Sequence, residues 1–157
     1  MSVLRPLRHE DLDALVVLQR EAAVVALGHI FPQETHPFPT VEVRERWALE
    51  LEDPGIRCHV VVVDGELSGF AATRGDELLH FGTALGTWGS GLAGDVHDEV
   101  VGTLRAEGYG SAWLRVFEEN QRAIRFYEKR GWVAAQGRST SLFPPHPVLC
   151  RYELVLG

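Results

Sequence analysis

The chain has 157 residues, 45% of them apolar and 24% charged, with a formal net charge of −7. That composition suits a folded chain of one-domain size and excludes intrinsic disorder. The acidic balance also excludes duplex nucleic acid as the main partner, because neutralising phosphates needs clustered Lys and Arg.

In chain order, "SVLRPLR" reads as a short first strand. An amphipathic helix follows, with Leu12, Leu15, Val16, Ala22, Ala23 and Ala26 near helical spacing, acids at its start and Gly28 at its close. "HIFPQETHPFP" is a proline-rich loop with two histidines. Thr40 is placed to cap a second helix, whose stripe is Val43, Trp47 and Leu51 and which ends at Asp53-Pro54-Gly55. "RCHVVVV" and "LSGFAATR" flank Asp64-Gly65, a strong tight-turn signal for a hairpin. "ELLHFGTAL" is a further strand. After the loop "GTWGSGLAGD" comes a helix from about Ala93 to Arg105, with Val96, Val100, Val101 and Leu104 on one face. "SAWLRVF" is a strand, Asn120 to Lys129 a short helix, and "WVAAQGRSTSLF" and "VLCRYELVL" the last two strands, joined by "PPHP".

The order is therefore β α α β β β α β α β β. The unit of strand, glycine loop, helix and strand must be a parallel crossover, and the hairpins around it are antiparallel. The expected fold class is α/β with a mixed sheet covered by helices. One domain over residues 1–157 is expected. No stretch is long and apolar enough to span a bilayer and the start lacks an apolar signal region, so a cytoplasmic location without a membrane partner is expected. Cys58 and Cys150 lie in apolar runs and read as buried thiols, with a disulfide between them left open. The seven histidines are scattered and show no ligand spacing, so no metal site is expected.

Four glycines fall within residues 86–95. Between a strand and a helix, such a loop lets an anion approach unpaired N–H groups at the positive end of the helix dipole. A glycine-rich surface turn without a ligand is the plain alternative. A Walker loop fails, since no Gly-Lys-Ser/Thr follows. Gly89-Ser90-Gly91-Leu92-Ala93-Gly94 does satisfy G-x-G-x-x-G by letter, and Glu118 or Glu119 lies where a ribose-binding acid would stand. Against a dinucleotide-binding oxidoreductase, the motif lies mid-chain behind an antiparallel hairpin, and too little chain remains for a doubly wound sheet.

Trp88-Gly89-Ser90-Gly91-Leu92-Ala93 resembles the Q/R-x-x-G-x-G/A motif of the GCN5-related N-acetyltransferase superfamily. "AWLRVFEENQRAIRFYEKRGW" resembles that family's second signature, as a strand, then Asn120, Ala123, Phe126-Tyr127-Glu128-Lys129 and Gly131-Trp132. The strand order read above is also that of the family, so the resemblance covers essentially the whole chain. It implies a mostly antiparallel sheet of six to seven strands with a central parallel crossover and about four helices. It further implies transfer of an acetyl group from acetyl-CoA to a primary amine, by direct attack in a ternary complex. A domain of this fold that binds CoA without turnover is the alternative. Two departures stand out: Trp88 replaces the usual Gln or Arg, and Ser90 replaces a basic residue. Phosphate binding would then rest on backbone N–H groups from Gly89 to Gly94, with less side-chain charge.

The resemblance assigns roles by position. Cofactor contacts fall on Phe81, Gly82, Thr83, Trp88, Gly89, Ser90, Gly91, Leu92, Ala93, Gly94, Asn120, Ala123, Phe126 and Lys129. Amides near Phe81 to Thr83 would bind the thioester carbonyl and its developing oxyanion. Tyr127 would protonate the departing thiolate, although its helical spacing also suits a core aromatic. Asn120 caps its helix on any reading. Glu77 or His80 would take the proton of the amine; regular alternation puts them on opposite faces, so only one would meet the cleft. Acceptor-binding candidates are His29, Phe31, Glu34, His36, Phe38 and His146, whose aromatic and acidic groups would suit an organic amine. The acceptor is a small-molecule amine or a peptide or protein amine, the net charge tilting toward a small cation. A homodimer is a further expectation, from the family. His59 and His97 read as structural residues.

Overall fold

A computed structural model describes residues 3–157. Seven strands form one sheet: β1 (Leu4–Pro6), β2 (Ile56–Val63), β3 (Glu66–Arg74), β4 (Glu77–Thr83), β5 (Ser111–Phe117), β6 (Val133–Thr140) and β7 (Val148–Val155). The four helices are α1 (Leu12–Ala26), α2 (Thr40–Glu52), α3 (Leu92–Ala106) and α4 (Gln121–Glu128). The spatial order is β1-β2-β3-β4-β5-β7-β6. The β4–β5 pair is parallel and the others are antiparallel. The predicted first strand begins at Ser2, which lies outside the described residues. Among the described residues no helix is long and apolar enough to cross a membrane.

Alternation along the strands divides the core into two layers. On one face, Leu12, Leu15, Val16, Val43 and Trp47 of α1 and α2 pack on Cys58, Val60, Phe70 and Ala72. On the other, Val96, Val100, Val101 and Leu104 of α3 and Ile124 and Tyr127 of α4 pack on Val61, Ala71, Leu78, Leu114 and Val116. The apolar stripes read from the sequence are thus the buried faces of α2 and α3. Cys58 and Cys150 are both free thiols. They cannot pair, because Cys58 belongs to the first layer and Cys150 packs against the second.

Local signals explain several boundaries. The β2–β3 turn has positive φ at both central residues, 52° at Asp64 and 79° at Gly65, as a two-residue primed turn requires. At the start of α1, the Arg5 guanidinium forks onto both oxygens of Asp11 at 2.8 Å. Thr40 does not cap α2. It is the first helical residue, and Pro39 stands in the cap position without a side-chain bond. A proline's fixed φ does there what a capping hydroxyl does elsewhere, setting the entry of the chain.

Candidate active site

β4 and β5 pair at a single position, Glu77 with Trp113, and then part. The register of β4 against β3 slips between Ala72 and Thr73, which leaves Leu79 as an extra residue. After this bulge Leu79 packs with the α1/α2 layer, and the His80 ring lies 4.9 Å from that of Trp47. Leu78 and Phe81 face α3 and α4. The expectation that Glu77 and His80 lie on opposite faces is therefore corrected. The inserted residue shifts the parity, and both point to the α1/α2 side. The Ala84 amide bonds to the Ser68 carbonyl. Alternation then turns the amides of Phe81 and Thr83 away from β3, into the gap between the parted strands.

The gap opens into a cavity of about 590 Å³. Its wall holds His80, Phe81, Gly82, Thr83, Trp88, Ala93, Asn120, Ala123, Phe126, Tyr127 and Lys129 among the residues singled out from the sequence. It also holds residues that sequence reasoning missed: Gln19, Ala22, Ala23, Ala26 and Leu27 of α1, and Arg115, Arg122, Arg125 and Arg130. Gly82 has a packing role as well. A Cβ there would lie 2.6 Å from the Phe70 ring, so the side chain must be absent for β3 and β4 to close.

The glycine turn reaches the cavity wall through Trp88 and Ala93, whereas Gly89, Ser90, Gly91, Leu92 and Gly94 lie off it. Gly89 and Gly91 take φ of 84° and 89°, the left-handed region that glycine enters without a Cβ clash. Gly91 is the N-cap of α3, which starts at Leu92, one residue ahead of the predicted start. The Leu92 amide reaches Ser90 Oγ at 3.3 Å. The amides of Gly89, Gly91, Ala93 and Gly94 have no acceptor among the described residues. Positive side chains stand beside them. The Arg122 guanidinium lies 3.5 Å from the centre of the Trp88 ring, and that of Arg130 lies 3.8 Å from the Phe126 ring. Arg130 also donates to the Phe126 carbonyl at 3.1 Å and comes close enough to Gly94 to fill the place of a Cβ. The expectation of little side-chain charge is corrected: the α4 side supplies what Ser90 lacks. Unspent amides with two adjacent guanidinium groups fit a diphosphate. Helical spacing of Arg122, Arg125, Phe126 and Lys129 on one face was the signal that could have found this set.

Asn120 caps α4, its Oδ1 accepting from the Ala123 amide at 3.2 Å. Two turns on, Tyr127 sits between the Phe126, Trp132 and Phe81 rings at 5.3, 5.7 and 6.4 Å. It is a core residue, as its helical spacing suggested, and it also lines the cavity wall. Its hydroxyl makes no hydrogen bond among the described residues. Burial pushes its pKa well above the ordinary phenol value, so the proton stays on it at neutral pH.

Glu77 and His80 differ sharply. Glu77 is 2% exposed and absent from the cavity wall. Arg74 donates twice to one oxygen, at 3.2 and 2.8 Å, and Arg115 donates to the other at 3.3 Å. A carboxylate so engaged is an anchor at the foot of the parted strands, which corrects its candidacy as the proton acceptor. His80 lines the cavity. Its Nε2 lies 2.9 Å from both oxygens of Glu50, which fixes the ring and leaves Nδ1 without a hydrogen-bond partner among the described residues. Glu50, thirty residues away in sequence, carried no local signal.

None of the six acceptor-binding candidates lines the cavity. His29 reaches the Glu119 carbonyl at 2.8 Å, and Phe31 meets the Phe117 ring at 5.5 Å. His36 turns to Thr35, and Glu34 is exposed. Phe38 packs into the α1/α2 layer. His146, at φ 59°, bonds to the Ser141 carbonyl of its own loop. The correction has one cause: these loops spend their side chains on themselves and on the rim, while α1 forms the wall. His97 is structural as expected, accepting from the buried Trp132 Nε1 at 2.9 Å.

Comparisons with known proteins agree with this geometry. The model of the Acetyltransferase (GNAT) family matches residues 20–132. A GCN5-related N-acetyltransferase from Rhodopseudomonas palustris superposes with a TM-score of 0.82 at 20% identity, covering 99% of this chain and 97% of that one. The PaiA N-acetyltransferase from Thermoplasma acidophilum, solved in complex with coenzyme A, gives 0.79 at 20% identity over 99% of both chains. The ribosomal-protein-S18-alanine N-acetyltransferase from Escherichia coli gives 0.72 at 20%, covering 100% of this chain and 95% of that one. No curated protein sequence matches the chain. With its mixed sheet parted at the parallel pair and the family model spanning both signatures, the chain belongs to the Acetyltransferase (GNAT) family.

Proposed function

We propose that this protein transfers an acetyl group from acetyl-CoA to a primary amine by direct attack within a ternary complex. The observation that carries the reading is that one cavity joins three features. These are the unspent Ala93 amide at the end of the glycine turn with Trp88 beside it, the free edge of β4 at Phe81 and Thr83, and Tyr127. Coenzyme A, which the Thermoplasma acidophilum neighbour holds, would set its diphosphate on the amides of Gly89 to Gly94 with Arg122 and Arg130 alongside. The arm would lie in the gap, where the Phe81 and Thr83 amides stabilise negative charge on the carbonyl oxygen.

His80 then serves as the proton acceptor in place of Glu77. The Glu50 carboxylate favours the tautomer with hydrogen on Nε2, so Nδ1 is the free base. The amine loses a proton to Nδ1, directly or through water, and attacks the carbonyl carbon. The C–N bond forms, the C–S bond breaks, Tyr127 gives its proton to the departing sulfur, and the second proton shed by the nitrogen returns to Tyr127 through water. Neither cysteine lines the cavity, so no acyl-cysteine route is part of the reading.

Two measurements test it. Acetyl-CoA at a hundredfold its dissociation constant is expected to stabilise the fold by about 2.7 kcal/mol, with NAD(H) inert at the same concentration. Free thiol release is expected when the protein, acetyl-CoA and a panel of amines are combined. Stabilisation without thiol release from any amine would make the chain a binding module; stabilisation by NAD(H) alone would reject the acyl-CoA site.

A further inference from the structure

Every ionised side chain on the cavity wall is basic, and among the described residues no carboxylate lines it. Four of these residues, Arg122, Arg125, Lys129 and Arg130, belong to the α4 side and the glycine turn. Arg115 stands apart. Leu114 and Val116 on either side of it face α3 and α4, so alternation puts Arg115 on the opposite face, with His80. Its hydrogen bond goes to Glu77, which Arg74 already holds. Arg46 of α2 is close enough for the charge of Arg115 to bear on it, although burial is the larger cause of its lowered pKa. Arg46 Nε is buried without a hydrogen bond. Its nearest anion is Glu50 at 3.6 Å, and both Glu50 oxygens are taken up with His80. Three arginines, at positions 46, 74 and 115, thus face two carboxylates, at 50 and 77. Of these five, only Arg115 lines the cavity, together with Gln19, Ala22, Ala23 and Ala26 of α1 and with Phe117 and Leu149.

A local excess of guanidinium beside an apolar slot and a histidine describes a ligand. We propose that the acceptor is an amine carrying a carboxylate on an apolar body, its carboxylate against Arg115 and its amine directed at His80. This rests on the acyl-transfer reading above. A polyamine is disfavoured at the same place, because its distal ammonium would enter a basic wall with no acid to meet it. The acidic net charge had tilted the sequence reading toward a cation. Net charge describes the whole surface, whereas recognition depends on the few groups that face the ligand.

The test compares L-phenylalanine, L-phenylalaninamide and spermidine as acceptors, with rates expressed per neutral amine. A charge-assisted bond is expected to favour phenylalanine over its amide by about tenfold or more in kcat/KM. In Arg115→Gln that ratio is expected to fall toward one, and Arg115→Lys is expected to keep part of it. Binding gives a second readout: phenylalanine should raise the melting temperature of CoA-saturated protein more than the amide does. Equal or better use of the amide or of spermidine overturns the proposal and leaves acyl transfer standing. So does the absence of any added stabilisation by phenylalanine. Failure of acetyl-CoA itself to stabilise the protein overturns the acyl-transfer reading, and this inference falls with it. The wild-type comparison decides the matter even if loss of the Glu77 bond keeps Arg115→Gln from folding.

Discussion

At the scale of single residues, Tyr127 belongs to the core and lines the cavity at once. Three neighbouring rings exclude water from it and hold its proton in place, while one side remains on the cavity wall. Tyr127→Phe removes one oxygen that has no internal hydrogen bond, so the fold should lose little. If that oxygen protonates the leaving thiolate, kcat should fall by about a hundredfold at unchanged melting temperature. Steady-state thiol release beside a thermal melt checks this, and unchanged kcat would remove Tyr127 from the mechanism. Its position was legible in the sequence from the Asn120-to-Tyr127 register. The His80–Glu50 pair was not, because β4 and α2 meet only in the folded chain.

At the scale of elements, the glycine turn and the β4 bulge do the positioning. Gly91 holds a left-handed φ with nothing within 4 Å of the place a methyl group would take, so Gly91→Ala meets a backbone cost and no clash. That cost is about 1–2 kcal/mol. Relief of the strain would turn the turn's amides, so KM for acetyl-CoA should rise more than kcat falls. Gly94→Ala has an ordinary helical backbone and meets only the mobile end of Arg130, and it should cost less stability. Chemical denaturation and steady-state kinetics on the pair separate the two effects; equal losses in both would contradict the assignment. The turn was readable as four glycines between a strand and a helix. The bulge at Leu79 was invisible, since nothing in "ELLHFGT" marks an inserted residue, and it alone brings Glu77 and His80 to one face.

At the scale of the whole molecule, stability should depend on pH through His97. The residue is 4% exposed. Its Nε2 accepts from Trp132 Nε1, so the ring hydrogen sits on Nδ1, facing Asp98 at 3.0 Å. Protonation would set two donors against each other inside the core. Burial is the main cause that lowers its pKa, with Asp98 opposing. The folded state therefore binds the proton less readily than the unfolded chain does. This contribution is complete above the ordinary imidazole value of about 6.5 and is lost as pH falls below it. His97→Leu is expected to cost about 1–3 kcal/mol at neutral pH by leaving the Trp132 indole N–H unpaired. It should also flatten the acid limb of stability, leaving the share due to His59, whose pKa burial also lowers. Denaturant titrations at several pH values check both, and an unchanged slope would show that His97 is not the group responsible.

The sequence by itself determined the elements, their order and the two family signatures, because strand alternation, helical stripes and glycine turns are encoded among near neighbours. The residues proposed for the cofactor lie in two short segments, 81–94 and 120–129, and so were legible as local motifs. Only the tertiary structure decided the acceptor half. There α1, α2, β4 and β5 contribute one or two side chains each, from segments far apart along the chain. Whether a given Glu, Arg or His faces the cavity depends on a one-residue bulge and on which partner neutralises it, and neither property is local.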